Sequence, residues 1–474
     1  MQKNPPVNKY KNLISNTLIL GLGVFGSKFL VFLMMPLYTG ILSPGEYRLA
    51  DLISQAANLL MPLACIGITD GVFRFALDGD SDRKEVLSSG LCVLIATGAL
   101  FAAMSPLINL IEYFSAYSLL IVGYVISANL HSICAQYVRA CNRTKLFAIQ
   151  GILNTALVIL FNILLLLVFE LGVVGYVLSV VLADLTVTVF LIFVGKLYKD
   201  IRPAKVKLST IKALVKYSVP MIPATIFWWI TSVSDRYMVT WFSGDVENGL
   251  YSAAYKIPTM LSLVSNVFIE AWQYSAVSEK EGRESFFGRV FEYYQAVIFI
   301  ACTAMIALSQ VFIIILCADT YFEAWRFIPV LSISAIFSSF TAFFGSVYLV
   351  KKKSVLTFVT SMTGAIVNIG LNLLLIPSMG AQGAAIATCI SYLAVFVIRA
   401  VNTRKYVRFS LHSVRIVLNV ILLSAQTVLL LAFETHTVFM QIACVLLIIS
   451  VNAKPFIEAF KYILREINKK FKKN

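Results

Sequence analysis

The chain has 474 residues, 59% of them apolar and only 13% charged, with a mean hydropathy of +0.84. Soluble globular chains run about 45–50% apolar and about 25% charged, which excludes a soluble enzyme, a secreted disulfide scaffold and a disordered protein. The formal net charge is +15, from 39 Lys and Arg against 24 Asp and Glu; on a soluble protein it would suggest nucleic acid, but in a membrane protein it reports which side the loops face.

The first residues, 1–12, are polar and basic, with no small-residue cleavage site before the first apolar run. A retained first helix is expected rather than a cleaved signal. A spanning helix needs about 20 mostly apolar residues. Spans are expected near 13–38 and 49–70, then at Val86–Ile111, Tyr113–Val138 and Leu146–Phe169. Further spans fall near 173–195, 217–241 and 249–274, then at Tyr293–Ala318 and Phe327–Val350. The charge-free stretch Ser354–Ile398 is long enough for two, with a turn at Pro377–Gly383. Ile416–Phe433 and Thr437–Ala453 complete about fourteen. The eight cysteines show no CxxC spacing and lie mostly in apolar runs, as small buried hydrophobes do.

An even number of spans puts both ends on one side. The odd-numbered gaps hold only Arg48 and Arg326, while Lys28, Arg236 and Lys256 fall inside spans. The other 34 of the 39 basic residues lie in the even-numbered gaps and at the two ends, so both termini are expected to be cytoplasmic. The tail from Lys454 reads as an amphipathic basic segment on the anionic leaflet. Topology accounts for the charge, and no nucleic-acid partner is expected.

The sequence repeats. Asn162 and the Gly172-Val-Val-Gly175 that follows match Asn372 and Gly380-Ala-Gln-Gly383. A weaker match sets Tyr38–Asp51 beside Met238–Tyr255. Six spans separate the copies, so the repeats share one orientation. The expected architecture is an all-α polytopic membrane protein with two pseudo-symmetric six-helix lobes, 1–200 and 201–402. Two C-terminal helices and a basic cytoplasmic tail follow in 403–474.

Polar residues inside the spans fall in stripes. The eighth span carries Lys256, Thr259, Ser262, Asn266, Glu270 and Gln273 at steps of three and four, on one helical face. The second carries Asp51, Gln55, Asn58 and Pro62; the fourth carries Asn129, Ser132 and Gln136. An ionised group at mid-bilayer costs at least about 2.5–3.5 kcal/mol, so these faces meet other helices or a wet cavity. Interhelical hydrogen bonding suffices for a lone Ser, Thr or Asn. The longer charged stripes of the second and eighth spans, at matching places in the two lobes, point to a hydrated cavity. Lys28, Arg74, Arg236 and Lys256 are the candidate cations for an anionic head group, with Arg236 and Lys256 foremost. Asp70 and Arg74, four apart, are also placed to neutralise each other. Asp51, Asp184, Asp235 and Glu270 leave proton or sodium coupling open. Trp228, Trp229 and Trp272 suit packing or interfacial anchoring better than sugar stacking. There is no GxxxxGK[ST] and no HExxH, and the connecting loops are too short for a catalytic domain. No enzyme activity, cofactor or metal site is expected.

Several segments together resemble one family. They are Ser15-Asn-Thr, Pro36-Leu-Tyr, Leu42-Ser-Pro-Gly-Glu-Tyr47 and Gly67-Ile-Thr-Asp-Gly-Val-Phe-Arg74-Phe. The second lobe adds Tyr217-Ser-Val-Pro220-Met-Ile-Pro223, Ser234-Asp-Arg-Tyr237 and Gly249-Leu-Tyr-Ser-Ala-Ala-Tyr-Lys-Ile-Pro258. Their order resembles the polysaccharide-flippase branch of the multidrug/oligosaccharidyl-lipid/polysaccharide exporter superfamily over nearly the whole chain. Arg48-Leu-Ala departs from the family's usual Gly-Leu-Tyr, which the second lobe keeps. The resemblance implies a flippase for undecaprenyl-diphosphate-linked oligosaccharide repeat units in the bacterial cytoplasmic membrane. It would serve surface polysaccharide synthesis by alternating access, with a polymerase and glycosyltransferases as partners. On that reading the four cations neutralise the diphosphate. Asp51, Asp235 and Glu270 orient them or bind a coupling cation, and Gln55, Asn58, Asn266 and Gln273 line the cavity. The alternatives are a cation-coupled multidrug antiporter of the same superfamily, a peptidoglycan lipid-precursor flippase, and a polytopic assembly scaffold.

Overall fold

The computed structural model describes residues 34–77, 82–141, 143–219, 222–278, 283–351, 353–433 and 437–471. Every regular element among them is helical, as the apolar runs predict. Most of the first expected span, including Lys28, lies outside the described residues. These residues form two compact units, one ending at Val233 and the other beginning at Ser234.

The first unit contains α1 (Met35–Ile41), α2 (Pro44–Ala64), α3 (Ile68–Leu77), α4 (Arg83–Ala103) and α5 (Ser118–Ala140). It continues with α6 (Thr144–Asn162), α7 (Gly172–Phe193), α8 (Leu208–Ser218) and the start of α9 (Ile222–Ser243). Local chemistry starts α2 cleanly. Ser43 accepts from the Glu46 amide, the Glu46 carboxylate accepts back from the Ser43 amide at 2.9 Å, and Pro44 opens the first turn. The second expected span does not run straight through. Ile66 (φ 47°) and Gly67 (φ 64°) are both left-handed, and α3 leaves α2 at 59°. Ile68, Val72, Leu87, Ile133, Leu191 and Leu214 form the heart of this unit's core.

The second unit contains the rest of α9, α10 (Asp245–Ser278), α11 (Arg283–Ala307), α12 (Ser309–Leu316) and α13 (Ile328–Val350). It ends with α14 (Ser354–Thr403), α15 (Ser413–Ala432) and α16 (Thr437–Phe471). The ninth expected span is divided between α11 and α12. The last span and the basic tail form one continuous helix, α16. Aromatic rings dominate the core: Trp272 stacks on Phe343 at 4.9 Å, and Phe291 meets Phe340, Phe343 and Phe344. Outward faces are apolar, with Ile95, Val414 and Phe439 well exposed, as lipid-facing helices require.

Among the described residues nine helices are long and apolar enough to cross a membrane, and α2 with α3 would count as a tenth. The protein is thus a multi-pass membrane protein. α9 and α10, which carry Asp235, Arg236 and Lys256, are not in that set. α14 holds two helices joined at Gly380 (φ 57°, ψ −142°), the turn expected from Pro377–Gly383.

The repeat is visible as local structure. Gly172 and Gly380, each opening a helix, are both left-handed. A Cβ on Gly172 would lie 3.9 Å from Glu46 Oε1, and one on Gly380 would lie 2.2 Å from Glu247 Oε1. Glu46 and Glu247 occupy the same place, the third residue of α2 and of α10. Each unit therefore sets a carboxylate from one helix start against the start of another.

Candidate functional site

Asp235 is the centre of a polar cluster in the second unit. The apolar stretch of α9 carries it into the core, where it is 1% exposed. Burying a carboxylate is tolerated only with hydrogen-bond donors around it, and three are present. The Tyr251 hydroxyl donates to Oδ2 at 2.6 Å and the Thr388 hydroxyl to the same oxygen at 3.2 Å. The Arg236 amide donates to Oδ1 at 2.9 Å.

The cluster continues onto α14, in the stretch before Arg399 that carries no charge. Asn368 donates to Thr388 Oγ1 at 3.3 Å, and Asn372 donates to Asn368 Oδ1 at 3.0 Å. Ser234 also donates to Asn368 Oδ1, at 3.3 Å. Asn372 is fully buried, yet its Oδ1 has no hydrogen-bond donor. One carboxylate and several neutral oxygens can hold a proton or a monovalent cation. No group of three or more His, Cys, Asp or Glu suited to a metal ion occurs among the described residues.

Arg236 is 4% exposed, and its guanidinium lies 4.5 Å from the centre of the Tyr255 ring. Lys256, one position further on α10, is half-buried. Gln273 is half-buried and Asn266 exposed, whereas the side chain of Glu270 lies outside the described residues.

The first unit carries Asp51, Gln55 and Asn58. Asp51 is buried and accepts from Gln55 Nε2 at 3.4 Å, the Gln55 carbonyl accepts from Trp229 Nε1 at 2.8 Å, and Asn58 is exposed. Arg74, near the end of α3, is exposed. Arg48, where the sequence departs from the family pattern, is buried with its guanidinium 5.1 Å from the Tyr113 ring centre.

Three arrangements escaped the sequence reading. In the first unit His131 sits between Asp184 Oδ1 at 2.8 Å and Gln150 Oε1 at 2.7 Å, and Asn154 donates to Asp184 Oδ1 at 2.8 Å. His131 and Asp184 lie on separate helices, and Gln150 and Asn154 are only a two-residue i,i+4 pair on α6, so no long stripe exposes the group. In the second unit Asn372 was visible in the repeat and Tyr251 in the family's Gly-Leu-Tyr, but nothing in the sequence tied either to Asp235, and Thr388 carried no signal. Arg399 counts as a loop cation by sequence, yet it is 6% exposed within α14. It donates to Thr360 Oγ1 at 2.9 Å, the Thr341 carbonyl at 3.0 Å and Ser361 Oγ at 3.1 Å.

The profile of the family described as "Polysaccharide biosynthesis protein" matches residues 13–273, more than half of the chain and the part that holds both charged stripes. The chain belongs to this family. Its fold is that of the multidrug/oligosaccharidyl-lipid/polysaccharide (MOP) transporter superfamily. A structure described as the lipid II flippase MurJ in an inward closed conformation matches at 15% identity, covering 94% of this chain and 99% of that one, with a TM-score of 0.69. An inward-facing multidrug resistance MATE family transporter of the MOP superfamily matches at 13% identity over 82% and 94%, with a TM-score of 0.59. A MOP superfamily transporter from Pyrococcus furiosus, described as having a binding pocket of reversed polarity, matches at 12% identity over 82% and 94%, with a TM-score of 0.58. No curated protein matches the chain.

Proposed function

We propose that this protein flips undecaprenyl-diphosphate-linked oligosaccharide repeat units from the inner to the outer leaflet of a bacterial cytoplasmic membrane, for a surface polysaccharide. The observation that carries the reading is the polysaccharide biosynthesis match over 13–273, joined to a transporter fold over nearly the whole chain. The physics supports it. A sugar diphosphate cannot cross hydrocarbon unaided, and a polytopic protein with charged groups inside its spans can carry the head while the lipid tail stays in the bilayer. Alternating access is the expected mode.

On this reading Lys28, Arg74, Arg236 and Lys256 neutralise the diphosphate in turn, Arg through paired hydrogen bonds and Lys as a point charge. Gln55, Asn58, Asn266 and Gln273 contact the sugars. Asp235, with its neighbouring neutral oxygens, takes the coupling proton or sodium ion, while Asp51 and Glu270 orient the cations. The chain is a carrier and performs no covalent chemistry. Both termini face the cytoplasm, and the 1–200 and 201–402 lobes with the 403–474 appendage are its functional parts. The polymerase and glycosyltransferases of the same polysaccharide are its working partners.

The fold likeness to a lipid II flippase favours a second reading, a peptidoglycan lipid-precursor flippase. One experiment separates them. Deletion of the gene should leave a lipid-linked oligosaccharide on the cytoplasmic face and abolish the surface polymer without loss of cell-wall synthesis. Rescue of a strain lacking lipid II flippase activity would instead establish the second reading. Correctly inserted Arg236→Ala and Lys256→Ala variants should fail to restore export, and full export by both would remove these cations from the mechanism.

A further inference from the structure

A cleft of about 430 Å³ opens in the second unit, bounded by α13, the end of α14 and the first half of α15. Its walls include Phe337, Phe396, Ala400, Val417 and Val420; the only polar residues lining it are Arg404 and Ser413. Arg404 follows the last turn of α14, and Ser413 opens α15. The cleft thus has an apolar body and a cationic mouth.

Its possible occupants can be sorted physically. An empty cleft would forfeit dispersion contacts along both walls. By volume it has room for about a dozen waters, but each needs two to four polar partners, and one hydroxyl and one guanidinium cannot supply them. Wall residues Val397, Val401, Val417 and Ile421 are about half exposed, so the cleft opens on the hydrocarbon side of the helices. An acyl chain fits these conditions.

The mouth selects the head group. The connector between α14 and α15 is pinned, because Phe409 stacks on Phe344 at 5.7 Å and Tyr406 packs on Tyr348. The acids on the neighbouring α11 are already engaged. Glu284 accepts from the Arg408 amide at 3.2 Å, and Glu292 pairs with Arg415 at 2.9 Å and with His412 at 3.5 Å. Arg404 and the adjacent Lys405 are both exposed, and among the described residues neither is paired with a carboxylate. Two cations without an acid beside them attract a lipid phosphate with net negative charge, and Arg offers it a planar fork of donors.

We propose that this cleft is a binding site for an anionic glycerophospholipid of the surrounding leaflet. One acyl chain fills the groove and the phosphate sits on Arg404. The bound lipid completes the packing between α14 and α15, which are otherwise joined through the connector. The site is separate from the Asp235 cluster and does not depend on the transported substrate.

Native mass spectrometry of the purified full-length protein tests this, titrating phosphatidylglycerol against phosphatidylcholine of the same chain length. Retention should favour phosphatidylglycerol by about 5- to 30-fold, the worth of one or two basic residues near an anionic lipid. Arg404→Glu should erase that preference while leaving the protein monodisperse. Val417→Trp, which fills the groove from a lipid-facing position, should lower retention of both lipids. Equal retention of the two lipids by the unaltered protein would overturn the proposal, as would unchanged retention in both variants. Displacement of phosphatidylglycerol by an equimolar polyprenyl diphosphate would also overturn it, because the groove would then belong to the substrate's tail.

Discussion

Glu247 caps the helix that begins after Gly380: its Oε1 accepts from the Ala381 amide at 2.7 Å. The carboxylate thus meets the positive end of the second half of α14. The close approach is open only because Gly380 has no Cβ. In the first unit Glu46 approaches Gly172 in the same way but less closely.

Gly380→Ala and Gly172→Ala should therefore differ. Both force a left-handed Cβ residue, costing about 1–2 kcal/mol. Only Gly380→Ala also drives a methyl into Glu247 and breaks the cap, adding about 1 kcal/mol. Thermal unfolding in detergent should show the larger loss at 380. Equal losses at the two positions would mean that the cap contributes nothing.

Asp235→Asn should keep the fold at the cost of one hydrogen bond, because the amide oxygen still accepts from Tyr251 and Thr388 while the bond from the Arg236 amide is lost. It removes the charge that holds a coupling ion. Transport in proteoliposomes should then lose its response to an imposed proton or sodium gradient, by about tenfold or 1.4 kcal/mol. A full response in this variant would dismiss Asp235 as the coupling acid.

Arg399 ties α13 to both halves of α14 through neutral oxygens. A lysine ammonium cannot reach all of these positions from one stem. Arg399→Lys should lower stability by about 1–3 kcal/mol, the loss of one or two buried hydrogen bonds. An unchanged melting temperature would count against the clamp.

Outside the spans, Asp82 pairs with Lys205 in the segment between α7 and α8. The hydrogen bond from Lys205, with the Lys84 amide, holds the Asp82 carboxyl below its usual range. Its contribution is therefore complete above the unfolded value of about 3.9 and is lost as pH falls through the folded one. A spin label at the exposed Ala204 should gain mobility only as the pH falls from about 3.9 through the lowered value, and a label equally immobile at about pH 7 and at the acid end of that titration would contradict this.

The sequence by itself determined the class and plan of this protein. Long apolar runs can only be membrane helices, because hydrocarbon leaves backbone groups no partner but each other. The repeated Gly-x-x-Gly turns identified two related halves, since a left-handed helix start demands the same residue wherever it recurs. Asp235 and Arg236, legible as charges inside an expected span, belong to the polar cluster, whereas no residue of the stripe on α10 is among its hydrogen-bond partners described above. Only the tertiary structure decided what those charges touch. Thr388 reaches Asp235 and Asn368 reaches Ser234 across more than a hundred residues, and His131 meets Asp184 from another helix. Periodicity records which face of one helix is polar, but not which other helix supplies the partner. For the same reason Arg399 read as a loop cation until packing showed it buried among hydroxyls.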